Sequence, residues 1–236
     1  MDILEIIRHR LSARVPFDRD RPIPREHMRR ILEAARWTPT AHNMQNFEIV
    51  VVDDRALLDA IADLRGEVSE VFVRENYAQL SFSDEELRRK KVGLLGLMFP
   101  PSWRTPGVEP RLDEAHAHSI LGEPLRSSAA LLLVLYDPRR RAPASEGDLL
   151  GMISLGCLMQ NMWLVASSLG IGLHIQSALA APHIEAQVKK LVGVPEPLHV
   201  AFACRLGSPL EDPSYLRVRR NIEDFAHHNQ YGTKLT

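Results

Sequence analysis

The sequence predicts an α/β or α+β sandwich, and three observations point there. Apolar runs of strand length at 47–52, 129–136, 173–176 and 198–204 are interleaved with stretches of helical periodicity. The 236 residues, 45% hydrophobic and 25% charged, are enough to bury a sizeable core with an ordinary soluble surface. No internal repeat or low-complexity linker divides them. The expected organisation is therefore a single domain, 1–236, with an insertion or lid at about 66–127 and an extended C-terminal arm.

Taken in order, residues 3–9 place Ile3, Leu4, Ile6 and Ile7 at helical spacing and end in basic His9 and Arg10, which suit a helix C-terminus. Ser12-Ala13-Arg14-Val15-Pro16 must be loop or extended. A second helix starts at Pro24, carries Met28, Ile31, Leu32 and Ala35 on one stripe, and is stopped by Pro39. The β-branched run 47–52 is a strand, and 56–64 is helical again. Between 66 and 124 the pattern loosens: Ser83 and Glu86 form a capping-box signature, whereas the proline-rich stretch 99–107 cannot be regular. Order returns with the strand at 129–136, a long buried helix at 148–169, the strand at 173–176, a short helix at 184–192 and a buried strand at 198–204. The tail from Ser208 is polar and basic, with Tyr215, Phe225 and Tyr231 as spaced aromatic anchors.

Several function classes fall away. A formal charge of -1 offers nothing global to nucleic acid or an acidic membrane, so a small molecule or a second copy is the expected partner. Cys157 and Cys204 sit in apolar runs without metal-ligand spacing and read as reduced, buried thiols. The N-terminus has no basic segment before an apolar stretch. The apolar region 149–171 is broken by Ser154, Gln160, Asn161, Ser167 and Ser168, which favours a buried helix over a membrane span. A cytoplasmic protein is expected. His116-x-His118 with Asp113 and Glu114 matches no zinc spacing, Gly170-x-Gly172 lacks the third glycine of a dinucleotide fingerprint, and Ser154 has no nucleophile-elbow context.

Three segments could hold a ligand. In Arg10-Leu11-Ser12-Ala13-Arg14, an extended chain would project Arg10, Ser12 and Arg14 the same way, where guanidinium forks and a hydroxyl suit phosphate oxygens. Alone, it reads first as a solvated basic segment. Pro39-Thr40-Ala41-His42-Asn43-Met44-Gln45-Asn46 sets amides that both donate and accept between a helix end and a buried strand, suiting the edge of a heteroaromatic ring. A turn satisfying its own backbone reads equally well. Arg217 and Arg219 alternate near the C-terminus as a second phosphate clamp or a solvated tail.

Together and in this order, Arg10-x-Ser12-x-Arg14, Pro39-Thr40-x-x-Asn43-x-Gln45 and the late Arg217-x-Arg219 pair resemble the FMN-dependent nitroreductase family. So do the central helix and its exit Leu169-Gly170-Ile171-Gly172. The resemblance covers about 1–65 and 128–236. It implies a nitroreductase-like α+β fold, a central, mostly antiparallel sheet flanked by helices, and a homodimer with two FMN sites at its interface. It further implies an NADH- or NADPH-dependent ping-pong oxidoreductase acting on a nitroaromatic, quinone or similar small acceptor. Ene reduction, dehalogenation, flavin fragmentation and non-catalytic flavin binding are the alternatives on the same fold.

Residue by residue, Arg10, Ser12, Arg217 and Arg219 would hold the phosphate and ribityl end. Arg14 would approach the flavin N1–C2=O edge, where positive charge stabilises the reduced anion. Thr40, Asn43 and Gln45, with Pro39, would line the ring from the other subunit, and Leu11 lies within the phosphate segment. The Ile175-Gln176-Ser177 strand end sits where the family offers a backbone N–H near N5. Family members often have Ser at the position of Thr40 and Pro-Trp at Asn46-Phe47. Met98, Phe99, Trp103 and Tyr77 are candidate lid residues.

Overall fold

The computed structural model describes residues 2–64, 122–143, 147–213 and 217–234, with Glu85, Arg88 and Arg89. The chain groups into two compact units, Met1–Gly66 with Ser119–Pro213 and Glu67–His118 with Ser214–Thr236. The capping box at Ser83 and Glu86, the His116-x-His118 pair and the candidate lid residues lie outside the described residues.

The first unit contains helices α1 (Ile3–His9), α2 (Arg25–Arg36), α3 (Arg55–Ala62), α4 (Gly122–Arg126), α5 (Leu149–Ser168) and α6 (Pro182–Val192). Its strands are β1 (Glu48–Val52), β2 (Ala130–Tyr136), β3 (Gly172–Ile175) and β4 (His199–Gly207). The strands form one sheet in the order β1-β2-β4-β3, and every pairing is antiparallel.

Strand β2 explains its own sequence. Leu132 and Val134 pack with Ile31 and Ala35 of α2 and with Leu155, Leu158, Met162 and Ala166 of α5. Leu131, Leu133 and Leu135 pack on the opposite face with Leu58 and Ile61 of α3, Leu125 of α4, and Ile184 and Val188 of α6. A central strand covered by helices on both faces has no polar side to show, so it reads as an unbroken apolar run. A bulge where the register shifts between Val134 and Leu135 changes the alternation of β4. Val200 and Ala203, three residues apart, therefore share one face, while Phe202, Cys204 and Leu206 share the other.

Several expectations need correction. The strand expected at 198–204 runs on to Gly207, because Gly172 to Ile175 pair with Gly207 to Cys204 and extend the ladder. The long helix is not buried all round. Leu149 is 66% exposed and Ile153 52%, with Leu150 and Met152 also exposed, whereas Leu155, Leu158, Met162, Trp163 and Ala166 face the core. It is also long and apolar enough to cross a membrane. Helix α1 has no buried residue and exposes Ile3, Leu4 and Ile7.

The helix exit Leu169-Gly170-Ile171-Gly172 has two physical reasons. Gly170 has φ +70, a left-handed backbone that ends the helix at no Cβ cost. Gly172 pairs with Gly207 across the ladder, and a Cβ on either would lie within 2.7 Å of a Phe17 side-chain atom. The glycine pair makes the seat for Phe17, which is 1% exposed.

In the second unit, residues 217–234 form a mostly irregular segment with a 3-10 turn at Ile222–Asp224 and a His227–Lys234 bridge. Phe225 and Tyr231 are both exposed, and their rings meet Arg220 and His227. Tyr215 lies outside the described residues.

Candidate functional site

Helix α1 stops at His9, and Arg10 (φ -55, ψ 129) opens an extended stretch. Alternation then governs exposure as expected for an extended chain. Ala13, Val15 and Phe17 are buried, while Arg10, Ser12 and Arg14 are half-buried and reach the surface.

Three partners hold this stretch. The Ala13 N–H donates to the Leu173 carbonyl (3.0 Å), tying it to β3. The Trp163 indole N–H donates to the Leu11 carbonyl (3.1 Å), and the Arg10 guanidinium lies 4.4 Å from the centroid of the Trp163 ring. The third is Arg205, whose Nη2 donates to the carbonyls of Ala13 (3.0 Å) and Val15 (2.8 Å). A backbone pinned on both sides of Arg14 presents two guanidinium groups and a hydroxyl from a fixed frame, a donor set that fits phosphate oxygens.

The second motif is built differently. Pro39 is exposed, Thr40 is half-buried, and Ala41–Asn43 make a 3-10 turn. His42, Asn43 and Gln45 have φ of 51, 52 and 46, so three of the four non-glycine left-handed residues among those described fall in this one loop. Such conformations cost on the order of 1–3 kcal/mol each and persist where surroundings over-determine them.

Here the determinants are local and polar. Thr40 Oγ1 accepts from the Gln45 N–H (3.1 Å), and Gln45 Nε2 donates to Asn43 Oδ1 (3.2 Å). Asn46 Oδ1 accepts from the Asp137 N–H (3.1 Å), while its Nδ2 donates to the carbonyls of Asp137 and Arg140 (2.9 Å each). From α5, Ser154 Oγ accepts the Ala41 N–H (3.0 Å), and Asn161 Nδ2 donates to Oγ1 of buried Thr38 (3.0 Å). Beside this loop lies a small open cleft lined by Thr40, Phe47, Tyr136, Arg140, Ser154 and Leu155 among others.

The two loops lean on the same helix at different heights. Trp163 meets the first and Ser154 the second, nine residues or roughly 14 Å apart along the axis.

Gln176 is buried. Its backbone N–H donates to the Ala203 carbonyl (2.8 Å), and its amide lies 3.1 Å from His174 Nδ1. The Gln176 N–H is thus taken up within the sheet, while Ser177, the first residue of the 3-10 turn Ser177–Ala180, is exposed. Arg217 and Arg219 belong to the second unit, and both are exposed. Partial burial first, then the charge of Arg219, holds Arg217 below its ordinary value. Among the described residues no cluster of three or more His, Cys, Asp or Glu could hold a metal.

Sequence reasoning missed the parts played by Trp163, His174, Arg205, Ser154 and Asn161. The signals were present. Ser154 and Asn161 stand seven apart on one helix face, not at random in the apolar run. Arg205 is a charge inside a core strand, which demands partners.

Comparison with known proteins agrees with this architecture. The sequence model of the Nitroreductase family matches residues 7–208. An NADPH-flavin oxidoreductase of Vibrio harveyi is 34% identical over 115 residues, covering 45% of this chain and 47% of the relative, so the match spans about half of that protein. A nitroreductase family protein from Clostridium novyi NT superposes with a TM-score of 0.60 at 17% identity, covering 99% of this chain and 97% of that one. A nitroreductase with bound FMN from Bacteroides fragilis gives 0.55 at 20% identity, covering 100% and 98%. At these identities the structures speak to the fold, and the sheet and helices described above are that fold. With a family match reaching from the helix that leads into Arg10 to the residue after β4, the chain belongs to the nitroreductase family.

Proposed function

We propose that the protein is a cytoplasmic, homodimeric FMN enzyme that oxidises NADH or NADPH and reduces a nitroaromatic, quinone or similar small acceptor by ping-pong chemistry. The observation that carries this is the cationic stretch Arg10-Leu11-Ser12-Ala13-Arg14, pinned by β3, Trp163 and Arg205. FMN supplies a ring nitrogen that accepts hydride and returns it, and the protein's part is to bind, orient and charge-stabilise.

In this reading Arg10 and Ser12 grip the phosphate, joined on grounds of sequence order by Arg217 and Arg219. Arg14 sets positive charge at the N1 edge, favouring the reduced form. Thr40, Asn43 and Gln45 serve the ring of the site shared with the second copy, and Ser177 offers its N–H near N5. The exposed apolar residues of α1 and the first turns of α5 support the dimer, since a second copy would cover them. The FMN named in the Bacteroides fragilis structure and the NADPH-flavin chemistry named for the Vibrio harveyi relative support the cofactor and the reductant.

Purified protein should show the visible absorbance of oxidised flavin and oxidise NADH or NADPH in the presence of a quinone or nitroaromatic. Arg10→Ala and Arg219→Ala should purify with FMN depleted. Full flavin loading in both variants would refute the phosphate assignment, and a colourless protein that cannot be reconstituted would refute the cofactor.

A further inference from the structure

His174 and Arg205 are direct cross-strand partners on the face of the sheet turned away from α5, two residue pairs from the glycines that seat Phe17. Arg205 is 1% exposed. Its Nε donates to His174 Nδ1 (3.1 Å), its Nη1 to the Pro124 carbonyl (3.1 Å) and its Nη2 to the carbonyls of Ala13 and Val15, while its guanidinium lies 4.1 Å from the centroid of the Phe17 ring. The Gln176 amide reaches the same His174 Nδ1 at 3.1 Å. A ring nitrogen facing two N–H donors is an acceptor, which places the imidazole hydrogen on Nε2 and leaves the ring neutral.

Stability alone does not call for an arginine here. An apolar residue on a core strand would pack without the desolvation cost of a buried cation. What Arg205 does that an apolar residue could not is bind the two carbonyls flanking Arg14. Resting on the FMN reading above, we propose that Arg205, oriented by His174, is a positioning residue for the cofactor, fixing the backbone of Arg14 so that its charge is presented at one place before the flavin arrives. The charge of Arg14 also reaches His174 and helps to keep it unprotonated, so the three side chains form one electrostatic unit.

The test uses holoprotein variants read by the rate of FMN loss on dilution, the midpoint potential of the bound flavin and the melting temperature. Arg205→Lys keeps the charge but not the fork, and His174→Leu removes the acceptor. Both should speed FMN loss about tenfold, the usual worth of a charge-assisted hydrogen bond, and lower the potential because reduced FMN loses more than oxidised FMN. His174→Asn restores an acceptor for Arg205 and should keep FMN loss within about threefold of the parent with its potential unchanged. Folded Arg205→Lys and His174→Leu proteins with parental FMN loss and potential would overturn the proposal. Should Arg205→Lys fail to fold, the His174→Leu and His174→Asn pair decides by the same readings. Failure of the underlying FMN reading would look different: Arg14→Ala would then leave both flavin retention and potential untouched.

Discussion

Lowering the pH from 7 to 5 should cost this protein about 2 kcal/mol of stability through His174 alone. Burial first, then the charges of Arg205 and Arg14, push that imidazole from 6.5 down to about 3. Above pH 6.5 both folded and unfolded chains hold the ring neutral, and its contribution is fully present. Below 6.5 the unfolded chain takes a proton that the folded chain refuses until about pH 3, so stability falls across that window. Each pH unit inside it is worth about 1.4 kcal/mol, which gives about 2 kcal/mol between pH 7 and 5 and about 5 over the whole interval. For a chain of this length, 2 kcal/mol corresponds to roughly 4–8 °C in melting temperature. Urea unfolding of FMN-saturated protein at pH 7, 6 and 5, compared with His174→Asn, isolates the effect, because Asn keeps an acceptor for Arg205 and does not titrate. Asp137 and Glu196, held low chiefly by their hydrogen bonds to Arg139 and Lys189, titrate alike in both proteins and cancel. Parallel losses in parent and variant, equal within about 0.5 kcal/mol, would show that His174 is not the group refusing the proton.

Other perturbations follow from the same geometry. Asn46→Ala removes three hydrogen bonds to Asp137 and Arg140 and should cost about 1–3 kcal/mol by urea unfolding, with faster proteolysis at 40–46; an unchanged unfolding midpoint would mean the clamp is idle. Gly207→Ala places a Cβ 2.6 Å from the Phe17 Cβ and should destabilise by about 1–3 kcal/mol in the same assay, unless Phe17 can retreat. Ile153→Glu puts a charge on the exposed apolar turns of α5 and should convert a dimer to monomer in sedimentation at micromolar concentration. A parent protein that sediments as a monomer, or that partitions onto lipid vesicles, would remove the dimer reading of that face. Trp163→Phe deletes the indole bond to Leu11 while keeping a ring beneath Arg10 and should raise the rate of FMN loss severalfold; no change would detach α5 from the cationic loop.

The fold was legible wherever one physical cause dominates the local sequence. A strand buried on both faces must be apolar throughout, so 129–136 announced β2, and its partners were readable for the same reason. The faces of α5 were not. Leu149 and Ile153 are as apolar as Leu155 and Leu158, and residue type alone does not separate a core position from a surface awaiting another copy. The candidate site divides in the same way. Arg10, Ser12 and Arg14 stood out as cations and a hydroxyl at alternating positions. His174 and Arg205 were hidden inside apolar strands, because Arg205 meets backbone carbonyls brought near from residues up to 192 positions away and His174 meets the side chains of Arg205 and Gln176. No local pattern encodes such a contact. It takes the β3–β4 register to place His174 opposite Arg205 and the glycine pair to admit Phe17 beneath the guanidinium.

The two candidate loops are preorganised by opposite means. The cationic stretch has an ordinary extended backbone, and its precision comes from outside it, through β3, Trp163 and Arg205. A segment that must hold fixed positive charge gains from this, since like charges repel and only an external frame keeps them converged. The polar loop is framed as well, by Ser154 and Asn46, but it also carries its own strain at His42, Asn43 and Gln45. Asn tolerates a left-handed backbone, whereas His and Gln do so at a cost that glycine would avoid. Glycine at 45 would relieve that strain and lose the amide that binds Asn43 Oδ1, so the loop bears the strain in exchange for an ordered pair of amides at its surface. Two such amides, exposed in a fixed relation and each able to donate and accept, are of little use to the interior of the same chain. They suit the edge of a flat, polar ring presented from outside it.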